Sequence, residues 1–367
     1  MYRKLYDFWQ RISDGVAIQD LWAQFRADAR AGYQFYSKEV DTAPREGERR
    51  MRRFLRIVRG YFWAMAMKLS PGRRVLLVLA LILLAIPAIH VNTQDGGEFD
   101  TTSLRFFSSL LLLLLLALEL SDRIVMKRDL EIAREIQSWL MPARPPDVPG
   151  VDIAFATRPA NTVAGDYYDA FFRPNRRLLI VVADVAGKSI PAALLTATLQ
   201  ASLRTLADLP GSLVELAARI NRYACEQSNQ GRRFTTAFLA ELDPATGALE
   251  YVNAGHNWPV LRRASGAMER FETGGLPLGI SAAAPYRSGA TRLAPGDLLL
   301  IFTDGLVEAE DEHEWEYGEE RMLAMVKSLG GATANEGLKR LMSSVDAFVG
   351  ATRQHDDITC LLLRMTA

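Results

Sequence analysis

Two apolar runs mark the first third of the chain. Val75–Val91 (VLLVLALILLAIPAIHV) has no formal charge, and Thr101–Leu120 (TTSLRFFSSLLLLLLLALEL) is dominated by leucine. A spanning helix needs about 20 mostly apolar residues, with a lower limit near 17. The first run lies near that limit, and the second reaches it if Arg105 and Glu119 sit at the two interfaces. The pattern predicts two transmembrane helices over residues 75–120, joined by the nine-residue loop Asn92–Asp100. A buried core helix, or a helix pair lying in a single leaflet, is the competing reading.

Ser121–Met141 continues as helix until Pro142. Leu118, Val125, Ile132 and Trp139 recur every seven residues, but the interleaved positions are Asp122, Asp129 and Ile136, so half of a heptad seam is present. The spacing predicts a helix over 118–139 that could pair with a second copy as a short parallel homodimer. The proline-rich PARPPDVPG (142–150) ends it. The linker thus covers 121–149, and a soluble domain fills 150–367.

Within that domain, strand-like and helical periods mix. Arg177–Ala183, Phe234–Leu242, Ala248–Asn253, Trp258–Arg263, Met268–Glu272, Asp297–Phe302 and Ile358–Met365 read as strands. Ala192–Ala207, Leu213–Glu226, Glu319–Leu329 and Asn335–Val349 read as helices. Ser212 and Glu215 form a capping box. Strands arrive in hairpins rather than βαβ units, so the fold class is α+β, with largely antiparallel sheets covered by helices.

Composition narrows the classes. Lys plus Arg total 43 and Asp plus Glu total 43 over 367 residues, with two cysteines, Cys225 and Cys360. Neither a disordered chain nor a disulfide-stapled one has this profile. The balance hides an asymmetry: residues 1–74 hold 16 basic against 8 acidic side chains, so the remainder holds 27 against 35. No nucleic-acid motif accompanies the basic head, and no nucleic-acid partner is expected. Arg49–Lys68 interleaves arginines with Phe54, Tyr61, Phe62 and Trp63. That suits contact with membrane lipid on an anionic leaflet, or a charged flank that only sets topology. Arg45–Arg74 carries ten basic residues, Arg123, Lys127 and Arg128 follow the second run, and the loop between the runs has three acids and no base. The positive-inside rule then predicts a multi-pass protein of the cytoplasmic membrane with both termini cytoplasmic. The apolar stretch starts too far from Met1 for a cleaved signal peptide.

The candidate chemistry lies in aspartates at strand ends. Asp184 ends LLIVVA, Asp304 follows DLLLIF and precedes Gly305, and Asp356-Asp357 precede ITCLLL. In antiparallel neighbours, the end of one strand and the start of the next share an edge. Asp184, Asp304 and Asp356 could therefore converge, and GDYYD offers two more acids, Asp166 and Asp169, in what reads as an isolated loop. Carboxylates held close repel unless cations neutralise them, and all-oxygen donors suit Mg²⁺ or Mn²⁺ rather than zinc. Ordinary turn and strand-end aspartates are the alternative.

Seven words follow in order: GDYYD (165–169), ADVAGKS (183–189), AALL (192–195), NAGHNWP (253–259), GGLPLG (274–279), FTDGLVEAED (302–311) and HDDITCLLLR (355–364). That series closely resembles bacterial PPM-type serine/threonine protein phosphatases of the SpoIIE/RsbU family, related to eukaryotic protein phosphatase 2C. The resemblance covers about residues 130–367, with EIAREIQSWLMP (131–142) similar to the family's helical lead-in. The N-terminal 120 residues carry no such resemblance.

The resemblance implies a β-sandwich flanked by helices, with two divalent cations, Mn²⁺ or Mg²⁺, at one edge. By position, Asp184 would bridge both ions, the Val185 carbonyl could add a ligand, Asp304 and Asp356 would complete one site, and Asp166 would serve the other. Asp357 and Asp169 would orient neighbours. The catalytic set is therefore Asp184, Asp304, Asp356 and Asp166. Two metals would activate a water for in-line attack on phosphorus, with no covalent enzyme intermediate. Lys188, Arg158 and His256 are weaker candidates for contact with substrate. His256 stands where eukaryotic relatives carry an acid for a third metal, so that site lacks its acid here. Ala164 stands where many relatives have a second glycine.

The expected protein is a membrane-anchored phosphatase acting on phosphoserine or phosphothreonine of a cytoplasmic regulatory protein, which the resemblance suggests is often an anti-sigma-factor antagonist in a partner-switching pathway. The alternatives are an inactive membrane-tethered scaffold that binds a phosphoprotein and, on shared acid chemistry alone, a two-metal nuclease.

Overall fold

The computed structural model describes residues 40, 50–86, 90–92, 98–100, 102–187, 190–227 and 233–366. They form two compact units, 1–124 and 125–367. The second takes in the end of the helix that the sequence reading grouped with the linker. The sequence reads as a basic, helical, cytoplasmic N-terminal region over 1–74, of which residues 1–39 and 41–49 lie outside the described residues.

In the first unit, α1 (Arg50–Lys68) and α2 (Pro71–Ala85) precede a short antiparallel ribbon, β1 (His90–Asn92) with β2 (Glu98–Asp100), and then α3 (Thr102–Leu140). Arg73 on α2 pairs with Glu119 and Asp122 on α3 at 3.2 and 2.6 Å, and the Ser108 hydroxyl donates to the Ala80 carbonyl at 2.7 Å. The expectation of two spanning helices is not met. Among the described residues, α3 is the one helix long and apolar enough to cross a membrane, so a multi-pass topology is not supported. α2 has 15 residues, about 22 Å at 1.5 Å per residue, against a hydrocarbon core of about 30 Å. The cause is local. Ile86 precedes Pro87, and proline steers its predecessor out of the helical region; Ile86 is extended at φ −65°, ψ 122°.

In the second unit, the strands are β3 (Val151–Arg158), β4 (Asp166–Phe172), β5 (Leu178–Val185), β6 (Thr235–Leu242), β7 (Ala248–Ala254), β8 (Val260–Arg262), β9 (Met268–Arg270), β10 (Gly274–Gly275), β11 (Gly289–Arg292), β12 (Leu298–Phe302) and β13 (Ile358–Met365). One sheet runs β10-β7-β6-β5-β4 with β11 also on β7; the other runs β3-β13-β12-β8-β9. All pairs are antiparallel except β10 with β7. The helices are α4 (Ile190–Ala207), α5 (Leu213–Gln227), α6 (Gly318–Ser328) and α7 (Ala334–Val349).

Side-chain alternation builds four layers from this order. Even positions of β5 (Leu178, Ile180, Val182) join Phe238, Ala240, Leu299, Ile301, Leu361 and Leu363 in the core between the sheets. Odd positions (Leu179, Val181, Ala183) face the other way, against Leu199, Leu203, Leu216 and Ile220 of α4 and α5. The outward positions of β12 and β13, Leu300, Phe302, Cys360 and Leu362 among them, pack on Met322, Val326, Leu338 and Leu341 of α6 and α7. Strands apolar on both faces are what two covered sheets require. Cys360 is one of these packing groups, buried and far from nucleophilic use.

Candidate active site

The inward faces change character at one end of the sandwich. Along β5 the inward series Leu178, Ile180, Val182 ends in Asp184, which lies opposite Asp166 on β4 and Thr236 on β6. Directly opposed residues share a face. Asp166, Asp184 and Thr236 therefore form one row across three strands. The opposite sheet ends its inward series in threonines. Thr157 lies opposite Thr359, their hydroxyls 3.0 Å apart, and the Thr303 amide donates to the Thr359 carbonyl at 3.0 Å. The Thr303 hydroxyl donates to Asp166 Oδ2 at 2.9 Å and accepts from the Thr359 amide at 2.9 Å. A carboxylate row on one sheet thus meets a hydroxyl row on the other.

The electrostatics record the convergence. Burial first, then the charges of Asp304, Asp356, Asp357 and Glu308, push the Asp184 carboxyl up to about 7. Burial, then Asp184, holds Asp166 well above the usual carboxylate range, with Asp357 adding and the Thr359 and Thr303 hydroxyls opposing. Strand ends from both sheets therefore bring Asp166, Asp184, Asp304 and Asp356 within electrostatic reach. The Val185 carbonyl oxygen faces Gly165, one residue before Asp166. The carboxylates converge without closing: among the described residues, no three acidic, His or Cys side chains form a ready-made cage for an ion. The donor chemistry is nonetheless all oxygen and strongly anionic, which fits hard divalent cations.

Several residues hold this edge in shape. Asp357 accepts from the amides of Ala160 (2.7 Å) and Gly165 (2.6 Å), clamping the loop that delivers Asp166. Gln354 donates to the carbonyls of Arg158 (2.7 Å) and Asp356 (2.6 Å). Gln137 of α3 pairs both ways with the Ala164 backbone: its Nε2 donates to the carbonyl at 2.7 Å and its Oε1 accepts from the amide at 2.9 Å. At Gly305 a Cβ would stand 2.1 Å from the Asp357 carbonyl oxygen, so only glycine lets the Asp304 turn close on the Asp356-Asp357 segment.

Asp169 points elsewhere. Three residues along the strand from Asp166, it faces the helix layer, is fully buried, and accepts from Arg204 (2.8 Å twice), the Tyr167 hydroxyl (2.8 Å) and the Ala170 amide (2.8 Å). Arg158 is paired with Asp346, the second contact at 3.1 Å. It lines a cavity of about 240 Å³ shared with Glu308, His355 and Asp356. His355 Nε2 lies 3.5 Å from Glu310. His256 is buried. Lys188 lies outside the described residues.

Sequence reasoning missed Glu308, Gln137 and the threonines. The threonines were findable: counting twos outward from Leu361 and Ile301 puts Thr359 and Thr303 on the inward face. Gln137 had no signal, since nothing local tells a surface glutamine from one that grips a loop 27 residues away.

Comparisons with known proteins match this arrangement. The family described as Stage II sporulation protein E (SpoIIE) matches residues 174–366. The phosphoserine phosphatase RsbU of Bacillus subtilis is 28% identical over 239 residues, 65% of this chain and 70% of RsbU. Protein IcfG of Synechocystis is 26% identical over 273 residues, 67% of this chain but 43% of its own length. The chain thus spans less than half of that relative. The structure of the RsbU and RsbW domains of Rv1364c from Mycobacterium tuberculosis aligns with TM-score 0.53 and 29% identity, covering 62% of this chain and 63% of that one. The SiaA PP2C domain of Pseudomonas aeruginosa aligns with TM-score 0.59 and 22% identity, covering 66% and 98%, a likeness of fold. With the ordered words, the four-layer sandwich and the carboxylate edge all in place, the chain belongs to the SpoIIE family and carries its PPM-type phosphatase domain.

Proposed function

We propose that this protein is a metal-dependent serine/threonine phosphatase held at the cytoplasmic membrane, releasing inorganic phosphate from a regulatory phosphoprotein. The observation that carries the reading is the row of Asp166 and Asp184 from one sheet, with Asp304 and Asp356 arriving from the other. Asp184, the Val185 carbonyl, Asp304, Asp356 and Asp166 would hold two divalent cations, Mn²⁺ or Mg²⁺. Bound there, such ions supply Lewis acidity to phosphate oxygens and to water. The chain's own groups do the positioning. Thr303 orients Asp166, Asp357 and Gln137 fix the loop before it, and Gly305 lets the two halves of the site approach. In the reaction, the oxygen of water bonds to phosphorus, the serine or threonine P–O bond breaks opposite it, and the side-chain oxygen leaves as a hydroxyl.

Membrane attachment rests on the apolar half of α3, and Arg123, Lys127 and Arg128 just beyond it favour a cytoplasmic phosphatase unit. The natural substrate we favour is an anti-sigma-factor antagonist, on the family resemblance read from the sequence; RsbU, matched over 70% of its own length, is a phosphoserine phosphatase. A parallel homodimer through the 118–139 helix fits the exposed stripe of Val125, Ile132, Ile136 and Trp139. A cysteine placed at Ile132 should cross-link two copies in vesicles, and failure to cross-link removes the dimer.

The direct test uses the full chain in detergent with a phosphoserine protein. Mn²⁺-dependent phosphate release is expected, abolished by chelator and reduced at least about 100-fold in Asp184→Asn and Asp304→Asn. Folded protein that binds Mn²⁺ and phosphoprotein but releases nothing would support the scaffold instead.

A further inference from the structure

Among the described residues of 125–367, one buried side-chain nitrogen or oxygen makes no hydrogen bond: Nε2 of His256. The residue is 3% exposed. Buried polar atoms are nearly always satisfied, so an orphan calls for an explanation. The surroundings of His256 are built, not incidental. Asn253 grips its backbone from both sides: the His256 amide donates to Asn253 Oδ1 at 2.7 Å, and Asn253 Nδ2 donates to the His256 carbonyl at 3.0 Å and to the Phe271 carbonyl at 3.1 Å. Gly255 makes the turn before it at φ +68°, where a Cβ would meet Pro277 at 2.5 Å. This clamp delivers Nδ1 of the ring to 3.0 Å from the Thr236 hydroxyl. Thr236 lies directly opposite Asp184 on the inward face, which puts their Cβ atoms about 4.5–5.5 Å apart.

Burial pushes the ring's pKa down to about 4, against the pull of the Phe302 carbonyl at the end of β12. The imidazole is therefore neutral, with one N–H and one lone pair. With its proton on Nδ1, the ring donates to the Thr236 oxygen, and the hydroxyl hydrogen is left to turn toward Asp184, which Thr236 opposes. Groups that orient metal-binding carboxylates in this way tune the site without touching the ion.

We infer that His256 is a positioning residue for the candidate metal site, acting through the Thr236 hydroxyl on Asp184. The inference rests on the metal reading proposed above. Its test is Mn²⁺ binding by the full chain in detergent, followed by electron paramagnetic resonance, with melting temperature measured in parallel. His256→Leu and Thr236→Val should each weaken Mn²⁺ binding about 10- to 100-fold. The double variant should be no weaker than the worse single one, because both substitutions break the same link. His256→Asn, which can keep an oxygen or nitrogen near the Nδ1 position, and Thr236→Ser should bind within about threefold of the natural protein, the same pair rule applying. Should His256→Leu fail to fold, Thr236→Val and the two conservative variants carry the comparison. Natural protein that binds Mn²⁺ with both disruptive variants unchanged, or with losses that multiply in the double variant, overturns the role of His256 alone. Natural protein that binds no Mn²⁺ overturns the metal reading and this inference together.

Discussion

Asp166 and Asp169 sit three positions apart on one strand and face opposite layers. An odd separation on a strand always does this. Asp166 enters the inter-sheet edge, and Asp169 enters the helix layer beneath Arg204, whose guanidinium also lies 3.9 Å above the Phe171 ring. The fully buried carboxylate of Asp169 depends on that arginine for its compensating charge. Arg204→Ala should therefore destabilise the domain by about 3 kcal/mol, the cost of leaving a buried charge without its partner. That corresponds to a fall in melting temperature of about 6–12 °C. Calorimetry of the full chain checks it. A fall under about 2 °C would mean that Tyr167 and the Ala170 amide suffice.

The end of α3 illustrates what a single element adds. Gln137 forms a two-way pair with the Ala164 backbone, so the lead-in helix holds the loop whose next residues are Gly165 and Asp166. Asp357 holds the same loop from the other side. Gln137→Ala removes one of two clamps and leaves the apolar core intact. It should raise the Mn²⁺ concentration for half-maximal phosphatase activity by about tenfold, with little change in melting temperature. An unchanged Mn²⁺ requirement would show that Asp357 alone is sufficient. Trp139, 73% exposed two residues further on, faces solvent within this unit, so one short helical stretch carries both a grip on the site and an apolar surface for a second copy.

At the scale of the whole molecule, the site gathers acids from chain positions nearly 200 residues apart, and their burial, with mutual repulsion added to it, has a measurable consequence. The Asp184 carboxyl is raised from about 3.8 to about 7. The folded state then binds more protons than the unfolded state between those values. This contribution to stability is complete below about pH 3.8 and is lost as pH rises through about 7. His256 opposes this trend over part of the window: its ring is lowered from 6.5 to about 4, so its own contribution grows as pH rises between those values and is complete above about 6.5. Chelator-treated protein should therefore melt at lower temperature at pH 8 than at pH 6.5, and added Mn²⁺ should flatten the trend. A melting temperature that rises with pH above 6.5 in chelator would show that the carboxylates are neither buried nor crowded.

Much of this protein follows from its sequence alone. The alternation of β5, β12 and β13 encodes strands covered on both faces, because a residue's side of the sheet depends only on parity. The ordered words from GDYYD to HDDITCLLLR placed the family and named Asp166, Asp184, Asp304 and Asp356 as candidates; the last three stand at the ends of apolar strands that are locally encoded, whereas Asp166 heads β4, which the apolar pattern did not mark. The length of α2 was also within reach, through the helix-ending effect of Pro87 on Ile86, although apolarity alone suggested a second span. Tertiary structure decided the rest. The opposition of Asp166, Asp184 and Thr236 depends on strand register, which turns and core packing set together. The Thr303–Asp166 bond crosses between sheets, and the grips of Gln137 on Ala164 and Asp357 on Gly165 join segments distant along the chain. Such contacts leave no periodic trace in the sequence, because each needs one specific side chain at one place and nothing repeats around it.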